Sequence, residues 1–314
     1  MRTPDEDAAL AQVRADSGMS DVRGVFAFGD SEQMADDLLD CVRHGRKRAT
    51  AGLVAEYEAE NEPLPQVGDR WGVLDGRGSA RVVIETTDVR VGVVVSVDAA
   101  FAWDEGENDR TRDGWLDAHR RFFRRQGAAD PDHEPCVFER FRVVWPRRDD
   151  TEWLADGVRE VRVDERGWMV DTLARRWGGT DVVSRGVLLD AGHLPALVAE
   201  RDGMPAGLLT FLPRPGGDTE IVTIDAFPSG AGTGGALLDA VIELGRRNGW
   251  RRLWLVTTND NTTALRFYQR HGFDLVAVHR GALVRSRELK PRIPLIGHDG
   301  IALDHELELE LRLR

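Results

Sequence analysis

Residues 229–235 read Ser-Gly-Ala-Gly-Thr-Gly-Gly, between the apolar run Glu-Ile-Val-Thr-Ile-Asp-Ala at 220–226 and an amphipathic stretch at 234–248. In that stretch Leu237, Leu238, Val241 and Ile242 recur at helical spacing, so the segment reads strand, glycine loop, helix. Glycines allow positive φ and close approach of the backbone to a ligand. The first turn of a helix also offers unpaired N–H donors and a partial positive charge. A pyrophosphate suits such a cradle.

The loop alone leaves the cofactor open. Gly230, Gly232 and Gly235 spell G-x-G-x-x-G, a dinucleotide fingerprint for which Asp260 is the acidic partner on offer. A dinucleotide fold needs several further βα units, and too little chain follows. A tight turn without ligand is the other alternative.

Residues 257–273, TTNDNTTALRFYQRHGF, decide between them. Asn261, Ala264, Tyr268, Gly272 and Phe273 fall on N-x-x-A-x-x-x-Y-x-x-x-G-F, and the stretch resembles the signature of the GNAT N-acetyltransferases. The glycine loop resembles the same family's [Q/R]-x-x-G-x-[G/A] motif through Gly232 and Gly234, with Ser229 in place of Gln or Arg. The resemblance covers roughly 158–314.

It implies acetyl-CoA as donor, lying between the strands at 220–226 and 251–257. Ala226 and the N–H groups of Ala231, Gly232, Thr233, Gly234 and Gly235 would meet the cofactor. Asn261 would hold the pantetheine arm or start the following helix. Tyr268 would be the general acid toward the departing thiolate, since a phenol of pKa ~10 can protonate it. Glu220 is the favoured general base and Asp225 its competitor. The acetyl acceptor is an amine whose identity the sequence leaves open.

The first half carries a second resemblance. Gly45, Lys47 and Thr50 form G-x-K-x-x-T; Gly68-Asp69, Glu105-Gly106-Glu107 and the strand Glu139-Arg140-Phe141-Arg142-Val143 follow. This region, about 25–145, resembles an ASCH domain, a PUA-like small β-barrel with helices that is associated with RNA. Some relatives resemble amidohydrolases that deacylate N4-acetylcytidine, which would make Lys47, Thr50 and Glu107 catalytic, with Glu105 close by. A lysine can lose its proton and activate a hydroxyl, whereas arginine stays protonated. Lys47 and Lys290 are the only lysines among 42 basic residues, and Tyr57 and Tyr268 the only tyrosines.

The rest of the chain fits this plan. With 41% hydrophobic and 31% charged residues, 314 residues suit two globular domains. The expected organisation is a flexible lead-in at 1–20, an α+β ASCH domain at 21–147, a linker at 148–157 and a GNAT domain at 158–314 with a mixed α/β sheet flanked by helices. The charge of −12 is uneven: residues 1–150 hold 21 basic against 31 acidic side chains. That argues against sequence-blind binding to long nucleic acid, but leaves room for a local pocket at 44–48 (HGRKR) or 120–125 (RRFFRR). Cys41 and Cys136 match no metal spacing, and no apolar run reaches membrane-spanning length. A cytoplasmic enzyme without metal is expected, its ASCH module binding or processing RNA or a modified nucleoside. The alternatives are an ASCH module that only binds, beside an unrelated small-amine acceptor, and a non-catalytic CoA-responsive sensor. Oligomeric state is open.

Overall fold

A computed structural model describes residues 3–43, 45–146, 153–155, 157–227 and 232–313. The chain divides into two compact units, Met1–Thr151 and Glu152–Arg314.

The first unit opens with a helix where a flexible lead-in is expected. In α1 (Pro4–Ser17), Thr3 and Glu6 form a reciprocal capping box, Asp5, Glu6 and Asp7 fill the first turn, and Gly18 closes the helix in the left-handed conformation. Each device favours a helix end. Leu10 and Val13 then pack with Val22, Val25, Leu74 and Val83, which anchors the segment.

Next come β1 (Val22–Phe26), α2 (Glu32–Arg43), β2 (Ala49–Leu53), α3 (Val54–Glu60), β3 (Arg70–Leu74), β4 (Ala80–Val93), α4 (Ala99–Glu105), α5 (Arg112–Arg125) and β5 (Pro135–Trp145). The sheet order is β1-β3-β4-β5-β2, with β1 parallel to β3 and the other pairs antiparallel. β1 and β2 stand at opposite ends, so among the described residues the sheet is open and the expected barrel does not close. β4 runs unbroken from Ala80 to Val93, and its register against β5 slips by one residue at Thr87. Alternation along β5 serves two cores. Phe141 packs with Phe28, Leu39, Val42 and Ile84 on the α2 side, while Cys136 and Phe138 pack with Ala49, Phe101, Trp115 and Phe123 on the other.

The second unit contains β6 (Trp153–Ala155), β7 (Val158–Glu160), α6 (Arg166–Trp177), β8 (Asp181–Ser184), β9 (Val187–Asp190), β10 (Ala196–Arg201), β11 (Met204–Arg214), β12 (Asp218–Ala226), α7 (Thr233–Arg247), β13 (Arg252–Thr258), α8 (Thr262–Arg270), β14 (Asp274–His279), α9 (Ala282–Leu289) and β15 (Glu306–Arg312). Its mixed sheet runs β14-β15-β13-β12-β11-β10-β7-β6, and β8 and β9 pair only with each other. β6 falls inside the expected linker because it pairs with β7; residues 148–152 and 156 of that linker lie outside the described residues. α7 packs against β10, β11 and β12. It buries Leu237, Leu238, Val241 and Ile242, each contributing about 1.5–3 kcal/mol through area removed from water.

Leu and charge alternate along 305–313, the pattern of a half-buried strand whose charged side faces water. Instead Glu306 and Glu308 are buried along with Leu309. β15 lies between β13 and β14 rather than at an edge, and the Arg185 N–H of the β8–β9 turn and the Ser286 hydroxyl of α9 donate to the Glu306 carboxylate.

Candidate functional site

The sheet of the second unit splits at its centre. β12 and β13 are parallel and pair at Asp218–Arg252, Thr219–Leu253 and Glu220–Trp254, and there the pairing stops. β12 continues against β11 as far as Ala226, and β13 against β15 as far as Thr258. The facing edges beyond Glu220 and Trp254 thus diverge into a fork whose backbone groups are free of each other. A one-residue slip at Val222 further bends β12 at the mouth, as bulges do.

α7 starts beside this fork. Gly232, its cap, has φ 80° and no side chain to cap the helix. The first intrahelical bond runs from Ala236 N–H to Gly232 O at 3.1 Å. The N–H groups of Thr233, Gly234 and Gly235 therefore have no acceptor within the helix. Thr233 Oγ1 is buried and makes no hydrogen bond to any described residue. A Cβ on Gly207 of β11 would come within 2.7 Å of Thr233 Cγ2, so the helix start lies directly on the sheet. Gly234 and Gly235 also serve packing: a Cβ there would lie 3.3 Å from Phe267 Cζ and 3.2 Å from His271 Nε2 of α8. What they leave for a ligand is backbone. Ala231 lies outside the described residues, as do 228–230. Open N–H donors, an orphaned buried hydroxyl and a forked sheet fit a pyrophosphate with an extended amide-bearing arm.

Asn261 takes the second of its two expected roles. Its Oδ1 accepts from Ala264 N–H at 3.1 Å and caps α8. Asp260, the acidic partner a dinucleotide site would need, is committed elsewhere: it accepts from Thr258 Oγ1 at 2.5 Å and from His298 N–H at 2.8 Å. Tyr268 is buried among Phe267 and Phe273, its hydroxyl without a hydrogen bond to any described residue. Burial raises its phenol above the ordinary range and keeps it protonated.

The two candidate bases differ sharply. Glu220 is 1% exposed at the point where the fork opens. It accepts a hydrogen bond from Ser184 Oγ, and Arg214 Nη2 lies 3.7 Å from Oε2. Burial raises its carboxyl above the usual range, against the opposing pull of Ser184, Arg214 and Arg185. Asp225 is held by both nitrogens of the Arg176 fork. A base needs a raised affinity for protons and a free lone pair; Glu220 has the former, whereas Asp225 is spent on an ion pair.

In the first unit, Lys47 is 1% exposed. Its Nζ donates to Glu107 Oε1 at 2.6 Å and lies 5.0 Å above the Phe28 ring. Two backbone bonds hold the segment, Lys47 N–H to Cys41 O at 3.0 Å and Arg48 N–H to Asp104 O at 2.6 Å. Gly106 has φ 75°, and a Cβ there would collide with the Arg46 carbonyl, so this glycine lets the Glu105–Glu107 turn reach Lys47. Glu105 is fully buried and faces His119 Nε2 at 3.5 Å. Burial opposes its ionisation, yet His119 and Lys47 hold its carboxyl below the usual range. Burial alone would lower the His119 imidazole; Glu105 raises it instead. Thr50 is not joined to this group. It sits on β2 opposite Glu139, which accepts from Thr86 Oγ1 at 2.5 Å and is kept above the usual carboxylate range by burial. Burial likewise pushes the Cys136 thiol up to about 12 and raises Cys41. Of the two basic stretches, His44 lies outside the described residues.

The comparisons agree with this division. The ASCH domain family matches residues 24–145, and the acetyltransferase (GNAT) family matches 139–273. Their overlap falls on β5, which pairs only within the first sheet. The uncharacterized protein YdhI of Bacillus subtilis is 32% identical over 140 residues, 44% of this chain and 87% of that protein. An ASCH domain from Lactobacillus crispatus matches at 30% identity over 44% of this chain and 90% of its own, with a TM-score of 0.37. A Bacillus subtilis acetyltransferase solved with CoA matches at 21% identity over 50% of this chain and 98% of its own, with a TM-score of 0.37. The chain belongs to the ASCH-domain proteins, with a GNAT acetyltransferase domain following in the same polypeptide. No helix among the described residues is long and apolar enough to cross a membrane, and no group of three or more His, Cys, Asp or Glu there is placed to hold a metal ion.

Sequence reasoning missed Ser184 and Arg185 beside Glu220, Glu306 and Glu308 against Arg185, and His119 in the first unit. The signal for the glutamates was the tail itself, whose alternation suits a strand buried on both faces as well as one buried on one.

Proposed function

We propose that the second unit transfers an acetyl group from acetyl-CoA to an amine. Glu220 takes a proton from the acceptor ammonium, directly or through water, and the free amine attacks the thioester carbonyl. A C–N bond forms, the C–S bond breaks, the CoA thiolate takes the Tyr268 proton, and the second proton lost from the new amide nitrogen restores the Tyr268 phenol, directly or through water. The observation that carries this reading is the fork at Glu220–Trp254 beside the uncapped start of α7. Thr233, Gly232, Gly234, Gly235 and Ala226, with Ala231, would receive the CoA pyrophosphate and arm. The test is CoA release from acetyl-CoA across amine, nucleoside and tRNA panels. Some acceptor should support release that Tyr268→Phe reduces; equal rates in the variant sink the role of Tyr268.

For the first unit, the reading is a module that binds an RNA-like or modified-nucleoside ligand near Lys47. The buried Lys47 ammonium over Phe28, clamped by Glu107, supports it. Hydrolysis would need the Thr50 hydroxyl to work with Lys47, and no hydrogen bond among the described residues joins the two. Acetate release from N4-acetylcytidine, lost in Lys47→Ala, would establish hydrolysis; no nucleoside or RNA binding at low salt would defeat both.

A further inference from the structure

The β8–β9 hairpin pairs with no other strand. An isolated two-stranded ribbon is marginally stable in water, so its attachments decide whether it stays seated. Its outer residues Val187 and Leu188 are about half exposed, at 52% and 46%, and contribute little apolar anchoring. The polar attachments concentrate at the turn. Ser184, 4% exposed, donates its hydroxyl to Glu220 Oε1. Arg185 N–H donates to Glu306 Oε2 at 3.0 Å. The Arg185 guanidinium lies 5.5 Å above the Trp254 ring, with Nε 3.8 Å from Glu308 Oε2. At the base, Lys290 Nζ donates to Asp181 O at 2.5 Å.

We propose that Ser184 is a positioning residue for the acetyl transfer: its hydroxyl fixes the Glu220 carboxylate, so that proton acceptance at the fork depends on the hairpin being seated. This rests on the reading of Glu220 as the base. Ser184 touches neither thioester nor amine in the proposed reaction and acts only through Glu220. The geometry favours one function over a mere tether. Of all residues under the hairpin, the hydroxyl meets the one that stands where the β12–β13 pairing ends. A hydrogen bond donated to a carboxylate favours its charged form, so the bond counters the burial that raises the Glu220 carboxyl above its usual range. The other charged groups facing Glu220 are Arg214 of β11 and Arg185 of the turn. Trp254 of β13 stands opposite it in register, and Arg252 of β13 and Glu310 of β15 lie beyond. Arg214 and Arg185 also favour the carboxylate, so loss of Ser184 shifts its titration without abolishing it.

The experiment follows the side-chain carboxyl carbon of Glu220 by 13C NMR in the full chain labelled at glutamate, the resonance being assigned by its loss in Glu220→Gln. Ser184→Ala should move the midpoint to higher pH, and the acid limb of kcat/KM for CoA release should move with it. Ser184→Thr, which keeps the hydroxyl, should restore both. Ser184→Cys, a weaker donor of similar size, gives an intermediate shift and serves if alanine loosens the fold. An unchanged midpoint in folded Ser184→Ala and Ser184→Cys overturns the proposal. Full activity in Glu220→Gln would instead defeat the assignment of the base, a result the titration does not depend on.

Discussion

The two candidate sites treat buried polarity differently. In the first, Lys47, Glu107, Glu105 and His119 largely answer one another: a lysine meets a glutamate at 2.6 Å, and a histidine faces a second glutamate at 3.5 Å, with Glu105 Oε2 left over. In the second, donors are left without partners. Three N–H groups at the start of α7 have no acceptor in the helix, Thr233 Oγ1 is an orphan, and two strands stop pairing in mid-sheet. A buried polar group without a partner costs about 1–3 kcal/mol. We read the open groups at the fork as awaiting a partner from an outside molecule, whereas around Lys47 the chain's own charges hold the site in place before any ligand arrives.

That contrast is open to attack from both sides. The largest effect belongs to the base. Glu220→Gln should lower kcat for CoA release by about 10²–10⁴-fold, the usual worth of general base catalysis, with little change in acetyl-CoA affinity by titration calorimetry. A fall in affinity without a fall in kcat would move Glu220 from proton transfer to binding. In the first unit, Lys47→Ala removes the cation between Glu105 and Glu107 and should cost ~3 kcal/mol in urea unfolding, because it leaves a buried charge uncompensated. A loss near zero would show that the cluster is not self-paired as described. Gly106→Ala should cost roughly 1–3 kcal/mol, since it adds a side chain to a left-handed residue pressed on the Arg46 carbonyl.

The smallest effect is the most discriminating. Thr233→Val removes an orphaned hydroxyl and keeps its shape, so the free protein should be as stable or slightly more so. Acetyl-CoA should bind several-fold more weakly, the fold-change corresponding to a lost hydrogen bond of about 1 kcal/mol. Equal affinity would leave Thr233 a packing residue.

The central α/β pattern of the second unit was legible because its signals are local. The glycine loop, the helical spacing of Leu237 to Ile242 and the stretch at 257–273 each sit within one or two elements. Asn261 caps α8 where a capping side chain belongs. The first unit's helix α1 was equally local, with Thr3, Glu6 and Gly18 as its signals, but the acidic run masked them. What stayed illegible is non-local. Ser184 and Glu220 are 36 residues apart, Lys47 and Glu107 are 60 apart, and Thr50 meets Glu139 only through strand register. No periodicity within one element encodes those meetings. Nor does the alternation of Leu and Glu at 305–313 reveal that both faces of β15 are covered, since that depends on where the strand enters the sheet.

The most direct test of the account is titration calorimetry of the full chain with acetyl-CoA beside NADH. Acetyl-CoA should bind saturably at one site per chain, and NADH should neither bind comparably nor displace it. Comparable binding of NADH, or no heat and no thermal stabilisation with acetyl-CoA, would contradict the assignment of the β12–β13 fork to coenzyme A.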